Sequence, residues 1–270
     1  MNEIDNETAR TSISLRRLQQ LTIQLPPRDL DILRDLEERR YMTSGQIARK
    51  HFSHASNETS AQRSANFVIN RLKKHGLIIA LARRIGGVRG GSKGFVWSLT
   101  SSGYRLLHLD GEEIPRRRAF EPSPHFVEHT LALSELDLQL RDFDGITVME
   151  IQLEPACWRD SNGATLKPDL FAVTSDGEYD DHWFFELDLA TETPARVVDK
   201  CRQYQTYCRT NTEQSKYGVF PLVVWIAPNE RRKASLREHI QQCAELTFKN
   251  LFTVILPDEL EALIRKGAGL

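Results

Sequence analysis

The chain has 270 residues, of which 40% are hydrophobic and 27% are charged, and its formal net charge is −1. This balance is typical of a globular protein with one large or two ordinary domains, and it excludes disordered, collagen-like and coiled-coil chains. No stretch has the ~18 consecutive apolar residues of a membrane span, and the polar start lacks the apolar core of a secretory signal. We therefore expect a cytoplasmic protein with no membrane partner.

Charge is distributed unevenly along the sequence. Residues 61–100 contain eight lysine and arginine residues and no acid, whereas residues 119–192 contain 17 acidic and three basic residues. The first segment would attract a polyanion, and the second would repel anions or collect cations. Between them, the prolines and charge run of residues 111–124 are typical of an exposed linker. The predicted organisation is a mobile or loosely helical arm (1–25), a first domain (26–110), the linker (111–124) and a second domain (125–270).

The basic domain has the element order of a winged helix-turn-helix. Apolar residues recur at helical spacing from residue 27 to residue 40, and a second, shorter helix begins at the N-cap candidate Thr43. A third helix over residues 57–75 buries an apolar stripe and carries cations on its other faces. Two β-prone segments, 77–82 and 95–99, flank a loop with five glycines and four cations, a composition typical of a wing.

This pattern predicts that the first domain binds double-stranded DNA, with a solvated basic face as the alternative. On the third helix, Arg63 and Asn66 are expected to read base edges in the major groove. The remaining candidate DNA contacts are cations of the third helix and the wing: Arg71, Lys73, Lys74, Arg83, Arg84, Arg89 and Lys93.

The acidic domain is predicted to follow the order αβββαβαβ, and acids occur at informative positions in its strands. Asp169 begins one strand, and Glu186 and Asp188 lie in the next, where a period of two places them on the same face. If the two strands are neighbours, the three carboxylates converge and would bind Mg²⁺ or Mn²⁺. Glu150 or Glu154, on the preceding strand, is a candidate fourth acid. A structural ion-pair cluster or a solvent-facing set of acids are the alternatives.

The order αβββαβ, with a P-D pair, a spacer of 16 residues and E-x-D, resembles the restriction-endonuclease superfamily, whose pattern is P-D followed by (D/E)-x-K. Residues 26–256 are similar to the plasmid replication-relaxation proteins through the motifs HTLALSELDLQL, KPDLFAV, FFELDLATE and KCRQYQTY. The resemblance implies a DNA-handling protein of plasmids or other mobile elements, with Asp169 and Glu186 as its acids. The predicted fold is therefore α/β, with an N-terminal winged helix-turn-helix and a C-terminal restriction-endonuclease-like αβββαβ core.

The chain departs from the superfamily pattern at one position. Asp188 stands where the superfamily has the lysine that positions or activates the attacking water. Lys200, on the following predicted helix, could reach the same point, although a solvated helix lysine is the favoured interpretation.

Two functions therefore stay open. One is a metal-dependent endonuclease that uses Asp169, Glu186, Asp188 and Lys200 on DNA docked by the winged helix. The other is a non-catalytic transcriptional or replication regulator whose nuclease-like domain forms a homodimer or binds another partner.

Overall fold

A computed structural model of the chain describes residues 13–81, 94–109, 122–161, 163–190 and 192–269. The chain divides into two compact units, residues 1–134 (unit 1) and residues 135–270 (unit 2), and the division falls inside one helix. Most of the predicted linker lies outside the described residues. The wing loop and its four predicted DNA contacts also lie outside them: Arg83, Arg84, Arg89 and Lys93.

The described part of unit 1 is mostly helical, with three short strands. Its elements are α1 (Leu15–Gln24), α2 (Pro27–Arg39), β1 (Met42–Thr43), α3 (Ser44–His51), α4 (Glu58–Lys74), β2 (Ile78–Ala80), β3 (Val96–Leu99), α5 (Ser101–Leu107) and the first half of α6 (Pro124–Asp142).

Local capping chemistry sets where the helices of unit 1 begin. Thr43 caps α3 as predicted, because its hydroxyl accepts from the Gln46 backbone N–H at 3.1 Å while the Gln46 side chain accepts from the Thr43 backbone N–H at 3.0 Å. The Asn57 side chain caps α4 by accepting from the Ser60 backbone N–H at 2.9 Å. Pro27 occupies the first turn of α2, where its missing N–H costs no helical hydrogen bond.

The three strands of unit 1 form an antiparallel sheet in the order β1-β3-β2. Helix α5 approaches β2 so closely that a Cβ on Gly103 would lie 2.1 Å from the Leu77 carbonyl oxygen. Of the two alternatives for the arm, the structure has the helical one over residues 15–24, which form α1. Leu18 and Leu21 of α1 are 0% and 1% exposed in the core of unit 1, and burial of these side chains stabilises the helix, which corrects the expectation of a mobile segment there.

Unit 2 combines strands and helices in the predicted alternation. Its elements are the second half of α6, β4 (Thr147–Leu153), β5 (Arg159–Ser161), β6 (Ala164–Leu166), β7 (Leu170–Ser175), β8 (Asp180–Leu187), α7 (Pro194–Cys208), α8 (Thr212–Tyr217), β9 (Leu222–Ile226), α9 (Glu230–Gln242), β10 (Phe252–Ile255) and α10 (Leu260–Lys266).

Five of these strands form a mixed sheet in the order β10-β9-β8-β7-β4. The strands β4, β7 and β8 are antiparallel, whereas β8, β9 and β10 are parallel and are connected through α7–α8 and α9. Strands β7, β8 and β9 are buried along most of their length, as expected for the centre of a sheet. The chain is therefore an α/β protein, and the β5–β6 hairpin and α8 are additions that the sequence analysis did not predict.

Candidate functional site

The predicted DNA-binding residues of α4 fall into two groups in the structure. Arg63, Asn66, Lys73 and Lys74 are all exposed, on faces of α4 other than the buried stripe. Arg71 is different, because its guanidinium donates two hydrogen bonds, of 2.8 and 2.7 Å, to a single carboxylate of the same unit.

That carboxylate belongs to Asp29 of α2, which is 1% exposed. The hydrogen bond to Asp29 raises the pKa of Arg71 above its usual range. A bidentate pair of this kind fixes the geometry of both side chains. The structure therefore assigns Arg71 to the packing of α4 on α2, a role that the sequence analysis missed because the two residues are 42 positions apart.

Asp169 and Glu186 lie opposite each other at one end of the antiparallel pair β7–β8. Leu170 pairs with Phe185, so the register continues to Asp169 and Glu186. The Oδ2 atom of Asp169 accepts a hydrogen bond of 2.8 Å from the Leu187 backbone N–H, which ties Asp169 to the end of β8. The prediction that these two acids occupy neighbouring strands agrees with this geometry.

Lys200 of α7 contacts the two acids. The favoured interpretation from the sequence, a solvated helix lysine, is therefore corrected. The Nζ atom of Lys200 donates to Oε2 of Glu186 in a short hydrogen bond and lies 3.7 Å from Oδ1 of Asp169. Burial alone would lower the pKa of Lys200, but the charges of the two carboxylates raise it above its usual range. Lys200 therefore lies between the two acids, which favour its protonated form.

Glu186 is the most buried group of this cluster, at 1% exposure. Its Oε1 atom accepts a hydrogen bond of 2.5 Å from the Tyr204 hydroxyl, on the same helix as Lys200. Burial raises the pKa of Glu186 to about 8, and the neighbouring charge of Asp169 acts in the same direction, while Lys200 and Tyr204 partly offset both effects. Nearby negative charge and burial both favour the neutral acid. The cluster of Asp169, Glu186, Lys200 and Tyr204 is called the acid–lysine cluster below.

Asp188 does not join this cluster. Strand β8 ends at Leu187, so the strand alternation that would align Asp188 with Glu186 does not extend to it. Asp188 instead accepts hydrogen bonds of 2.5 and 3.0 Å from Arg232 of α9 and one of 3.0 Å from the Ala190 backbone N–H. Among the described residues, Asp169, Glu186 and Asp188 do not form a set with ligand atoms within 4.8 Å of one another.

Glu154 is the additional acid that the structure brings towards Asp169. Carboxylate oxygens of Glu154 and Asp169 lie within 4.8 Å of each other, and both residues are partly exposed. The other candidate, Glu150, accepts from Gln152 at 2.6 Å and from Tyr217 at 3.4 Å. Oxygen donors at this spacing fit a hard divalent cation such as Mg²⁺ or Mn²⁺. Glu154 and Asp169 could therefore hold such a cation, with Glu186 beside them.

Tyr204 and Arg232 each hold one of the predicted site acids, and the sequence analysis assigned neither contact. Tyr204 is 0% exposed, and its hydroxyl donates a hydrogen bond to the Glu186 carboxylate. Arg232 follows Asp188 by 44 positions, and no motif spacing connects the two. Both contacts depend on how α7 and α9 pack against the sheet, which only the three-dimensional structure reveals.

None of the helices in the described residues is long and apolar enough to cross a membrane.

Comparison with known proteins places the chain in a family. No curated protein and no solved structure gives a significant match to the chain. The replication-relaxation family model, in contrast, matches residues 33–223, which cover more than half of the chain and include α4 and the acid–lysine cluster. The chain therefore belongs to the replication-relaxation family.

Proposed function

We propose that the chain binds double-stranded DNA through unit 1, which acts as a winged helix. The family suggests a role in the replication or relaxation of plasmids or other mobile elements. The single observation that carries the proposal is α4, a helix with an apolar buried stripe and exposed Arg63, Asn66, Lys73 and Lys74. The order α3–α4 followed by an antiparallel sheet supports it, because a second helix of this kind enters the major groove.

A salt titration of the full chain on a DNA duplex tests this function. The double variant Lys73→Ala/Lys74→Ala should weaken binding at every sequence and reduce the slope of log Kd against log salt by about two, because each lost phosphate contact releases one fewer counterion. Lys216→Ala, an exposed lysine of unit 2, is the matched control and should leave the slope unchanged. An unchanged slope in the double variant would contradict the assignment of α4.

A second function, metal-dependent cleavage of the bound DNA, is favoured by the acid–lysine cluster. The cluster resembles the P-D…(D/E)-x-K set in composition, with Lys200 supplied from α7 in place of the lysine that Asp188 replaces. In this proposal unit 2 is a restriction-endonuclease-like domain. Mg²⁺ or Mn²⁺ held by Asp169 and Glu154, beside Glu186, would neutralise charge that develops on the phosphate.

The residues of the chain have separate roles in this second proposal. Asp169 is fixed by the Leu187 backbone, and Glu186 is fixed by Tyr204, so both carboxylates are preorganised. The Lys200 ammonium is protonated and can orient a water molecule towards the phosphate by donating a hydrogen bond. Asp188, which the sequence pattern included among the metal ligands, stays with Arg232 and keeps the end of β8 against α9.

Nicking of supercoiled plasmid in Mn²⁺ tests the second function. Wild type should convert the plasmid slowly to the open circle, Asp169→Asn should abolish the conversion, and Lys200→Ala should slow it about 100-fold, the effect of losing one positioned catalytic group. Asp160→Asn, an exposed acid of β5, is the control. A plasmid that stays intact with wild type would leave the DNA-binding regulator as the function, with unit 2 serving a homodimer or another partner.

A further inference from the structure

The outer face of α4 carries an exposed phenylalanine among polar residues. Arg63, Phe67, Asn70 and Lys74 follow one another at spacings of four, three and four residues, so they form one stripe along the helix. All four residues are exposed, and the Phe67 side chain is 68% exposed. We call these four residues the outer stripe of α4. It lies opposite the buried stripe, so Phe67 makes no contribution to the core of unit 1.

The ion pair between Arg71 and Asp29 fixes the side chain that packs against the Phe67 ring. The guanidinium carbon of Arg71 lies 5.3 Å from the centroid of the Phe67 ring, within cation–π distance. Arg71 is itself held by its two hydrogen bonds to the buried Asp29. Phe67 therefore projects from a rigid support, and a ligand that contacts its ring would lose little side-chain entropy on binding.

The charge around Phe67 indicates what kind of partner contacts it. Residues 61–100 contain no acid, and the outer stripe supplies two cations, Arg63 and Lys74, on either side of the phenyl ring. A polyanion that also presents an apolar group fits this arrangement. In the major groove of DNA, the C5-methyl group of thymine is the apolar group, whereas the other base edges present hydrogen-bond donors and acceptors.

We infer that Phe67 is a specificity-determining residue that contacts the 5-methyl group of a thymine when α4 lies in the major groove. Arg63 and Asn70, one turn away on either side, then face the adjacent base pairs and can hydrogen-bond to their edges. This inference rests on the proposed DNA binding, and it adds the base that the helix selects. Arg71 supports the phenyl ring and does not contact the DNA.

The test compares duplexes that differ only in the thymine methyl group. Full-length protein selects its preferred duplexes from a random pool, and the selected pool is copied with either dTTP or dUTP. Wild type should bind the thymine copies about fourfold more tightly for each methyl group that Phe67 buries. Phe67→Ala should bind both copies equally, whereas Phe67→Leu, which keeps an apolar side chain, should retain most of the preference.

Two variants provide matched controls for the loss of the phenyl ring. Ile23→Ala removes an apolar side chain that is 88% exposed on α1, and it should leave the thymine preference at the wild-type value. Lys74→Ala should weaken binding to both copies equally, because phosphate contacts do not depend on the methyl group. Phe67→Ala should melt at the wild-type temperature, since the ring is outside the core, so a lost preference would not reflect unfolding.

The outcomes separate this inference from the proposed function. If wild type binds both copies equally, or if Phe67→Ala keeps the preference, Phe67 does not read thymine and the inference is wrong. If Phe67→Ala leaves DNA binding intact but dissociates an oligomer, the phenyl ring belongs to an interface with a second copy, which also overturns it. Absence of any DNA binding by wild type would instead remove the proposed function, and the inference with it.

Discussion

Each unit of the molecule buries a carboxylate beside cations, but the two sites differ in their charge balance. In unit 1, Asp35 of α2 accepts from Arg39 at 2.7 Å and from Lys50 at 2.8 Å, and His51 lies 2.6 Å away. Burial would raise the pKa of Asp35, but the hydrogen bond from His51 and the charges of Arg39 and Lys50 lower it to about 2. This acid is fully compensated by groups of its own unit.

In the described part of unit 2, the cation that contacts Glu186 is Lys200, which also lies near Asp169. Burial and Asp169 raise the pKa of Glu186 to about 8, the opposite direction from that of Asp35. Glu186 is the more deeply buried acid, at 1% exposure against 8% for Asp35, and it faces a second carboxylate, whereas Asp35 has a hydrogen bond from His51 and two cations beside it. A buried acid whose pKa is raised beside a second carboxylate is a candidate site for an added cation, whereas an acid whose pKa is lowered by its partners stabilises the fold.

The largest effect should come from breaking the site of Asp35. Asp35→Asn removes the negative charge that Arg39, Lys50 and His51 share, although Arg39 keeps its pair with Glu38, and removing one partner from a buried charge cluster typically costs about 3–5 kcal/mol. Urea unfolding at pH 7 measures the cost. Asp31→Asn is the matched control on the same helix, because its pair with Arg34 is exposed and should be worth less than about 1 kcal/mol. Equal losses in the two variants would show that the buried cluster adds nothing to stability.

The two carboxylates should also give opposite dependences of stability on pH. Glu186 has a raised pKa in the folded protein, so the free energy of unfolding should fall as pH rises from 4.5, its ordinary value, to about 8. Asp35 has a lowered pKa, so its contribution is complete above 3.8 and is lost as pH falls towards 2. In EDTA, Glu186→Gln should flatten the alkaline decline by a few kcal/mol, whereas the exposed Glu178→Gln should not. A decline that persists in Glu186→Gln would contradict the raised pKa.

The sequence predicted the parts of both units that depend on local patterns. The period of apolar residues placed α4, the Thr43 cap placed α3, and the P-D and E-x-D motifs placed two acids on neighbouring strands. Each of these features is encoded within a few residues or by a strand alternation. Strand β1 has only two residues and is defined by its pairing with β3. No local pattern encodes that pairing, so β1 was not predicted.

The charge partners were the part that the sequence could not supply. Asp29 pairs with Arg71 across 42 positions, and Asp188 pairs with Arg232 across 44, distances over which no periodicity applies. Lys200 was assigned to solvent by its residue type, and only the packing of α7 on the sheet directs its ammonium to Glu186. The metal triad failed at Asp188 because β8 ends at Leu187, one residue before the alternation could include it.

Added divalent cation should stabilise the site of Asp169 and Glu186 and leave the site of Asp35 unaffected. A ligand that binds only the folded state at ten times its Kd raises the free energy of unfolding by about 1.4 kcal/mol. Wild type should therefore melt at a higher temperature in Mn²⁺ than in EDTA, and Asp169→Asn should lose the increase. Asp160→Asn and Asp35→Asn should both keep it. A melting temperature that ignores Mn²⁺ in wild type would remove the case for a cation between Glu154 and Asp169.

The smallest effect tests the same comparison by altering Lys200, the cation that contacts Glu186. The Lys200 ammonium occupies the acids that a divalent cation would contact, so the two positive charges compete for Asp169 and Glu186. Lys200→Met keeps the length of the side chain and removes this competitor, and it should tighten Mn²⁺ binding about fivefold, equivalent to about 1 kcal/mol. Lys216→Met is the control, because Lys216 lies exposed on α8 with the Tyr217 hydroxyl as its neighbour. Calorimetric titration of full-length variants measures both constants. Unchanged or weaker Mn²⁺ binding in Lys200→Met would mean that the ion does not contact the acids held by Lys200, and the acid–lysine cluster would then be a structural ion pair like that of Asp35.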